Sequence, residues 1–226
     1  MSLLDVVALS KVACEVSLRA ELKYATTDNL VGRPLAGYDP RVTDVALLTP
    51  KAAAKLCEVQ NYLVNKHNYG LIIYDAYRPK QAVLDLMNWA KQPIITSQDH
   101  HLKDKHFPRV GKDELFHLGY IAEDSNHCYG NTVDVFLWDL AANRVLDMGA
   151  VFDFMDEMSN LAIDPELLLP EAYQHRLVLL EAMELFGFHS YEKEFWHFCH
   201  GGEDGREVSQ PLNIEITKEE LQRLKI

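Results

Sequence analysis

The sequence predicts an α+β fold in a single domain over residues 1–226. Three observations lead there. Helical and extended patterns are mixed along the chain without a regular βαβ alternation. No repeat, low-complexity stretch or long flexible linker divides the 226 residues. The composition, 48% apolar and 25% charged, is that of a globular chain long enough to bury a core.

The opening MSLLDVVALSKVAC is mildly apolar. Asp5 interrupts it and no basic segment precedes it, so it reads as mature structure rather than a secretory signal. That reading makes the protein cytoplasmic, with a periplasmic location open if a precursor was trimmed. Thr49 and Pro50 start a helix through KAAAKLCEVQNYLVNKHNYG, with Leu56, Val59, Tyr62 and Leu63 at helical spacing and Gly70 as its stop. LIIYDAY follows as a β-branched, aromatic strand, ended by Arg78-Pro79. Pro79 opens a second helix, PKQAVLDLMNWAK. Residues 92–124 lack clean periodicity and read as an irregular surface segment. TVDVFLWDL is the next strand, and AANRVLDMG a turn with a short return strand. PEAYQHRLVLLEAMELFGF is a third helix ending at Gly187. EFWHFCH reads as a final strand by its aromatics, and ITKEELQRLKI carries a capping box at Thr217 and Glu220.

The net charge of −12 lacks the basic footprint of a nucleic-acid binder. No apolar run approaches the ~20 residues of a membrane span. Cys14, Cys57, Cys128 and Cys199 have no CxxC spacing and read as buried or half-buried free thiols.

The chemistry gathers around SNHCYGNTVD and EFWH. Imidazole and carboxylate are ligand types of zinc and related metals, and a catalytic zinc takes three protein ligands plus water. His127, Asp134 and His197 are the candidates, with His189 and His200 as rivals by proximity. His67, His100, His101, His106 and His175 read as surface or capping residues. Around His127, Ser125, Asn126, Gly130 and Asn131 build a tight turn in which Gly130 permits positive φ. Asp134 then falls inside a strand, where it either points outward or finds a metal or strong donor, because an unpaired buried carboxylate is costly. Glu194, three residues before His197, fits a carboxylate that takes a proton from metal-activated water. On an extended strand those two face opposite sides, so a bulge or turn must intervene. Otherwise Glu194 is a solvated charge. Arg78 at a strand end either hydrogen-bonds a developing oxyanion or a carboxylate, or forms a salt bridge to Asp75. Asp153 and Asp156 are two loop carboxylates that could meet an ammonium group.

These stretches resemble the SxHxxGxxxD and ExWH motifs of the zinc D-alanyl-D-alanine carboxypeptidase/dipeptidase superfamily. LKYATTDNLVGRPLAGY, YDAYRPKQAV and MGAVFDFMDE narrow the likeness to its VanX-type D-alanyl-D-alanine dipeptidases, over roughly residues 21–199. The resemblance implies helices around a central, mostly antiparallel sheet. It implies one zinc ion per chain on His127, Asp134 and His197, with Glu194 as general base and then acid. Arg78 would steady the tetrahedral intermediate, Asp153 would pair with the substrate's free amino group, and Ser125 would line the pocket. The partner implied is a small D-dipeptide substrate, with no nucleic acid and no membrane insertion, and oligomeric state left open. Two rivals share the scaffold: a D,D-carboxypeptidase trimming longer peptidoglycan stems, and a non-catalytic zinc-binding protein. Asp153 speaks against the first, Glu194 and Arg78 against the second. Glycopeptide-antibiotic resistance, cell-wall recycling and nutrient scavenging all need the same hydrolysis. Ala76 stands where the family commonly has glycine. Asn126 and Cys128 depart on either side of His127, which bears on pocket shape and so on strict D-Ala-D-Ala preference.

Overall fold

The computed structural model describes residues 3–202 and 205–226; the first two residues of the N-terminal stretch, with Glu203 and Asp204, lie outside the described residues. In chain order the elements are β1 Leu4–Asp5, α1 Val6–Ala13, β2 Arg19–Ala20, β3 Leu47–Leu48, α2 Pro50–His67, β4 Tyr69–Asp75, α3 Lys80–Ala90, α4 Ser97–His106, β5 Thr132–Asp139, β6 Arg144–Val145, α5 Pro170–Leu185, β7 Phe188–Tyr191, β8 Glu194–His200 and α6 Lys218–Leu224. The fold is α+β. The main sheet runs β2-β4-β5-β8-β7, with β6 paired to β5, and β1 pairs β3 separately. Only the β2–β4 pairing is parallel within the main sheet, so it is mostly antiparallel.

The central strands read as near-continuous apolar runs because both faces are covered. Val133, Val135 and Leu137 of β5 are fully buried on one side of the strand. On the alternate side Phe136 joins Tyr74, Phe195 and Trp196 in an aromatic cluster with ring centroids 4.8–6.2 Å apart. Helix α2 packs on β4, and α5 packs on α2 and β7.

Several expectations shift by small, explicable amounts. Helix α2 ends on Asn68 in the left-handed conformation (φ 56°), not on Gly70. Gly70 lies inside β4, where an added Cβ would sit 3.0 Å from Gln60 Nε2. The segment 92–124 is not wholly irregular. Its helix α4 has a reciprocal Thr96–Asp99 capping box, but only Leu102 and His106 on it are buried, so apolar periodicity could not reveal it. Strand β7, four residues long and directly after Gly187, is too short to separate from the end of α5 by pattern. The expected return strand is β6, and α6 is capped by Thr217, whose hydroxyl accepts from the Glu220 amide. Among the described residues Cys14, Cys57 and Cys128 are free thiols. No helix there is long and apolar enough to cross a membrane.

Gln60 makes good the shortness of β2, which pairs only with Ile72 and Ile73. Its Oε1 accepts from the Leu71 amide (2.8 Å), and its Nε2 donates to the Val16 and Ser17 carbonyls (3.0 and 3.4 Å). Gln60→Leu therefore leaves buried backbone groups without partners. The expected loss is about 2–4 kcal/mol in urea unfolding at unchanged m-value. A midpoint equal to wild type would show that β4 does not need this side chain.

Candidate metal centre

Three strands and one tight turn deliver the central side chains. Ser125 is extended, residues 126–129 form a 3-10 turn, and Gly130 (φ 75°) reverses the chain into β5. A Cβ on Gly130 would lie 2.7 Å from Leu3 Cδ2, a side-chain end free to shift, so the positive φ is what favours glycine here. The turn is pinned by the Arg78 amide donating to the His127 carbonyl (3.2 Å). His127 Nδ1 stands 2.6 Å from the Ala76 carbonyl. A carbonyl only accepts, so Nδ1 carries a hydrogen, and Nε2 is the ring nitrogen turned toward His197 and Asp134.

Asp134 sits on β5 directly opposite His197 of β8 on one side and Asp75 of β4 on the other. The three form one transverse row across the sheet. His127 Nε2 is 3.2 Å from His197 Nδ1 and 3.4 Å from Asp134 Oδ2, and His197 Nδ1 is 3.1 Å from Asp134 Oδ1. Burial alone would raise the Asp134 carboxyl, but His127 and His197 outweigh it and hold it well below the usual range. Burial likewise disfavours charge on His197, and Asp134 reverses that, raising its pKa. These three residues form a group that could hold a metal ion, with ligand atoms all within 4.8 Å of one another. Ligands about 2.0–2.1 Å from a tetrahedral centre lie about 3.3–3.4 Å apart, close to the spacings here. Two imidazole nitrogens and a carboxylate oxygen converging this way satisfy a cation together, whereas a proton can bridge only one pair of them.

The bulge that the Glu194–His197 spacing demands is present. Ser190 pairs with Phe198 but Tyr191 with Glu194, so one step along β7 spans four residues of β8. Glu194 Oε2 thereby comes to 3.8 Å from His197 Nδ1. Phe195 and Trp196, buried to 1% and 0% exposure, anchor the bulge in the core. Glu194 is buried rather than solvated, and burial pushes its carboxyl up to about 7, helped by Asp134 and opposed by His197 and Arg78.

Arg78 forms the salt bridge to Asp75 and also lines the cavity. Its Nε donates to Asp75 Oδ2 (2.8 Å), while its Nη2 lies 3.7 Å from Asp134 Oδ2 and its guanidinium 4.7 Å over the Tyr24 ring. A cavity of about 220 Å³ is lined by Arg78, Ser125, His127, Asp134, Asp153, Glu194 and His197, among others. Asp153 has a left-handed backbone (φ 59°). Its Oδ1 accepts from Tyr24 Oη (3.0 Å), while the buried Oδ2 has no hydrogen-bond partner among the described residues. Burial raises its carboxyl well above the ordinary range, against the pull of Arg78.

The remaining candidates separate cleanly. Asp156 is bound by Arg109 and caps Met158, so it is not an ammonium partner. His189 and His200 lie outside the convergent group, His200 packing on Phe188 with centroids 5.1 Å apart. His106 corrects its surface reading: it is buried, with Nδ1 3.2 Å from the Asp153 carbonyl. Asp75, Tyr38 and Tyr24 are residues that the motifs did not mark. Tyr38 Oη donates to Asp75 Oδ1 (2.7 Å), completing the brace behind Arg78. Tyr24 and Tyr38 lie in the quoted LKYATTDNLVGRPLAGY stretch and Asp75 in YDAYRPKQAV, the signals that could have found them.

Comparison with known proteins places these features in context. A family model described as D-ala-D-ala dipeptidase matches residues 3–216. A D-alanyl-D-alanine dipeptidase of Enterococcus faecalis is 38% identical over 181 residues, 80% of this chain and 85% of that relative. Proteins of the same name from Streptomyces coelicolor and Escherichia coli are 34% and 33% identical over 181 residues, covering 85% and 78% of those relatives.

His197→Ala should remove most bound metal in elemental analysis of the purified protein, whereas His200→Ala and His189→Ala should keep it. Full occupancy in the His197 variant would assign the ion to other ligands.

Proposed function

The chain belongs to the D-ala-D-ala dipeptidase family of peptidases, and from that premise we propose that it hydrolyses D-alanyl-D-alanine, or a close D-dipeptide, to free D-alanine with one zinc ion per chain. One observation carries the reading. A single small cavity gathers the convergent His127–Asp134–His197 set, a buried carboxylic acid at Glu194, the Arg78 guanidinium and the partnerless Oδ2 of Asp153.

His127, Asp134 and His197 would hold the zinc, a two-nitrogen, one-oxygen donor set common for that ion in catalytic sites. Zinc bound there supplies Lewis-acid polarisation and makes water acidic near neutral pH. Glu194 takes the proton from the attacking water and later gives it to the leaving amine nitrogen. Its raised pKa suits both directions of transfer, because a catalytic acid-base works best near the operating pH. Arg78 donates to the oxyanion as charge develops there. Asp75 and Tyr24 hold the guanidinium in place, so little reorganisation is needed when that charge appears. Asp153 Oδ2 accepts from the substrate ammonium, which restores the ionised form that burial otherwise disfavours. Ser125 lines the same wall as His127.

The carboxypeptidase reading needs a pocket open at the amino end of the substrate. A buried carboxylate with an empty acceptor position favours a free ammonium instead. The non-catalytic reading has no use for a buried acid beside the metal ligands or for a braced arginine.

Two measurements test this. Glu194→Gln keeps the shape but cannot take a proton. It should retain zinc while kcat falls by about 10²–10⁴ and KM changes little. Zinc loss would make Glu194 a ligand, and full activity would move the base elsewhere. The second compares free with N-acetylated D-Ala-D-Ala in wild type and Asp153→Ala. Wild type should strongly prefer the free dipeptide, and the variant should lose on the order of 2–5 kcal/mol of transition-state stabilisation on it. Equal wild-type rates on the two substrates would favour the carboxypeptidase.

A further inference from the structure

A dipeptide carries a carboxylate as well as an ammonium. Asp153, ionised once it pairs with the ammonium, disfavours a second anion at its end of the cavity. Arg78, the lysine- or arginine-type cation among the lining residues, is committed to Asp75 and to the reacting oxygen. Ser125 and Asn126 directly precede His127 in the chain and line the cavity with it as neutral donors, beside the hydroxyls of Tyr24, Tyr120 and Tyr191. Asn126 is one of the two departures from the resembled motif, and the mechanism makes no use of it.

The orientation of Asn126 is set from outside the pocket. Arg206, in the segment after β8, donates through Nη2 to Asn126 Oδ1. A guanidinium has donors only, so the amide oxygen must face Arg206 and the Nδ2 hydrogens face the other way. Among the described residues Nδ2 has no recorded acceptor. Arg206 is itself fixed, lying 3.7 Å over the Tyr129 ring. The carboxylate at this end, Asp124, accepts from Tyr129 Oη at 3.1 and 3.2 Å and lies 4.0 Å from Arg206 Nη1, which offsets its charge.

We infer that Asn126, oriented by Arg206, binds the substrate's terminal carboxylate and sets the preference for a free C-terminus. Asn126 touches the substrate and Arg206 is a positioning residue. This rests on the dipeptidase reading above and adds the group that recognises the second charged end. One cavity would then hold a partner for each charged end of the dipeptide.

The test is the ratio of kcat/KM for the free dipeptide to that for its C-terminal amide. It uses whichever alanyl-alanine stereoisomer the zinc-loaded wild type cleaves fastest, with zinc content measured on each preparation. Wild type should favour the free acid. Asn126→Ala should lower the ratio about 10- to 100-fold, the worth of a hydrogen bond to a charged group. Asn126→Asp should lower it further by repulsion, and Arg206→Ala should lower it less than Asn126→Ala with zinc retained. A merely structural role would reduce both substrates alike and leave the ratio fixed, which would overturn the inference. A wild type that cleaves acid and amide equally would also overturn it. Preference for an L,L-dipeptide with the ratio effects intact would instead sink the D-dipeptide reading and leave this one standing. No cleavage of any isomer would overturn both.

Discussion

The carboxylate of Asp134 is the constraint on which the rest of the site depends. It lies in the middle strand of the sheet at 2% exposure, and an ion so placed must be matched by charge or donors. The register across β4, β5 and β8 supplies the match sideways, with His197 on one flank and the Asp75–Arg78 pair on the other. His127 closes it from the turn that precedes the strand. Stability and chemistry therefore make the same demand on these residues. The same His127, Asp134 and His197 side chains form the group that could hold a metal ion.

Two irregularities in pairing make this geometry reachable. On β4 the register slips between Ile73 and Asp75, which turns Asp75 toward Asp134. On β8 the larger slip carries Glu194 round to the His197 side. A regular ladder would put alternate residues on opposite faces and scatter the set. Each slip is held by apolar burial on the far side, so the precision of a polar site derives from hydrophobic packing. Arg176 contributes to that support, with its guanidinium 4.0 Å over the Phe195 ring and its Nε on the Met148 carbonyl.

Much of this was legible in the sequence. Long elements announced themselves by period: the α2 stripe of Leu56, Val59 and Leu63, and the β-branched runs of β4 and β5. The metal group was legible because its residues carry the chemistry in their own side chains at motif spacing, and the need for a bulge followed from strand geometry alone. Helix α4 was hidden because its polar face dominates, and its one clear mark, the Thr96–Asp99 cap, is short and common. Tyr24, Tyr38 and His106 were hidden for a different reason. They act by contact with residues 37 to 129 positions away, and such pairings belong to the fold rather than to any local pattern.

The bulge in β8 has a consequence for how the protein can vary over time. Glu194 and His197 are the first and last residues of a four-residue segment whose middle two are sealed into the core. A change of volume beneath Trp196 would therefore move Glu194 and His197 together, at a distance from both. Inheritance cannot tune one without disturbing the other, so drift in the surrounding aromatic cluster is filtered by selection on chemistry as well as on folding. The interior residues least accessible to solvent should be the ones a lineage is least free to exchange.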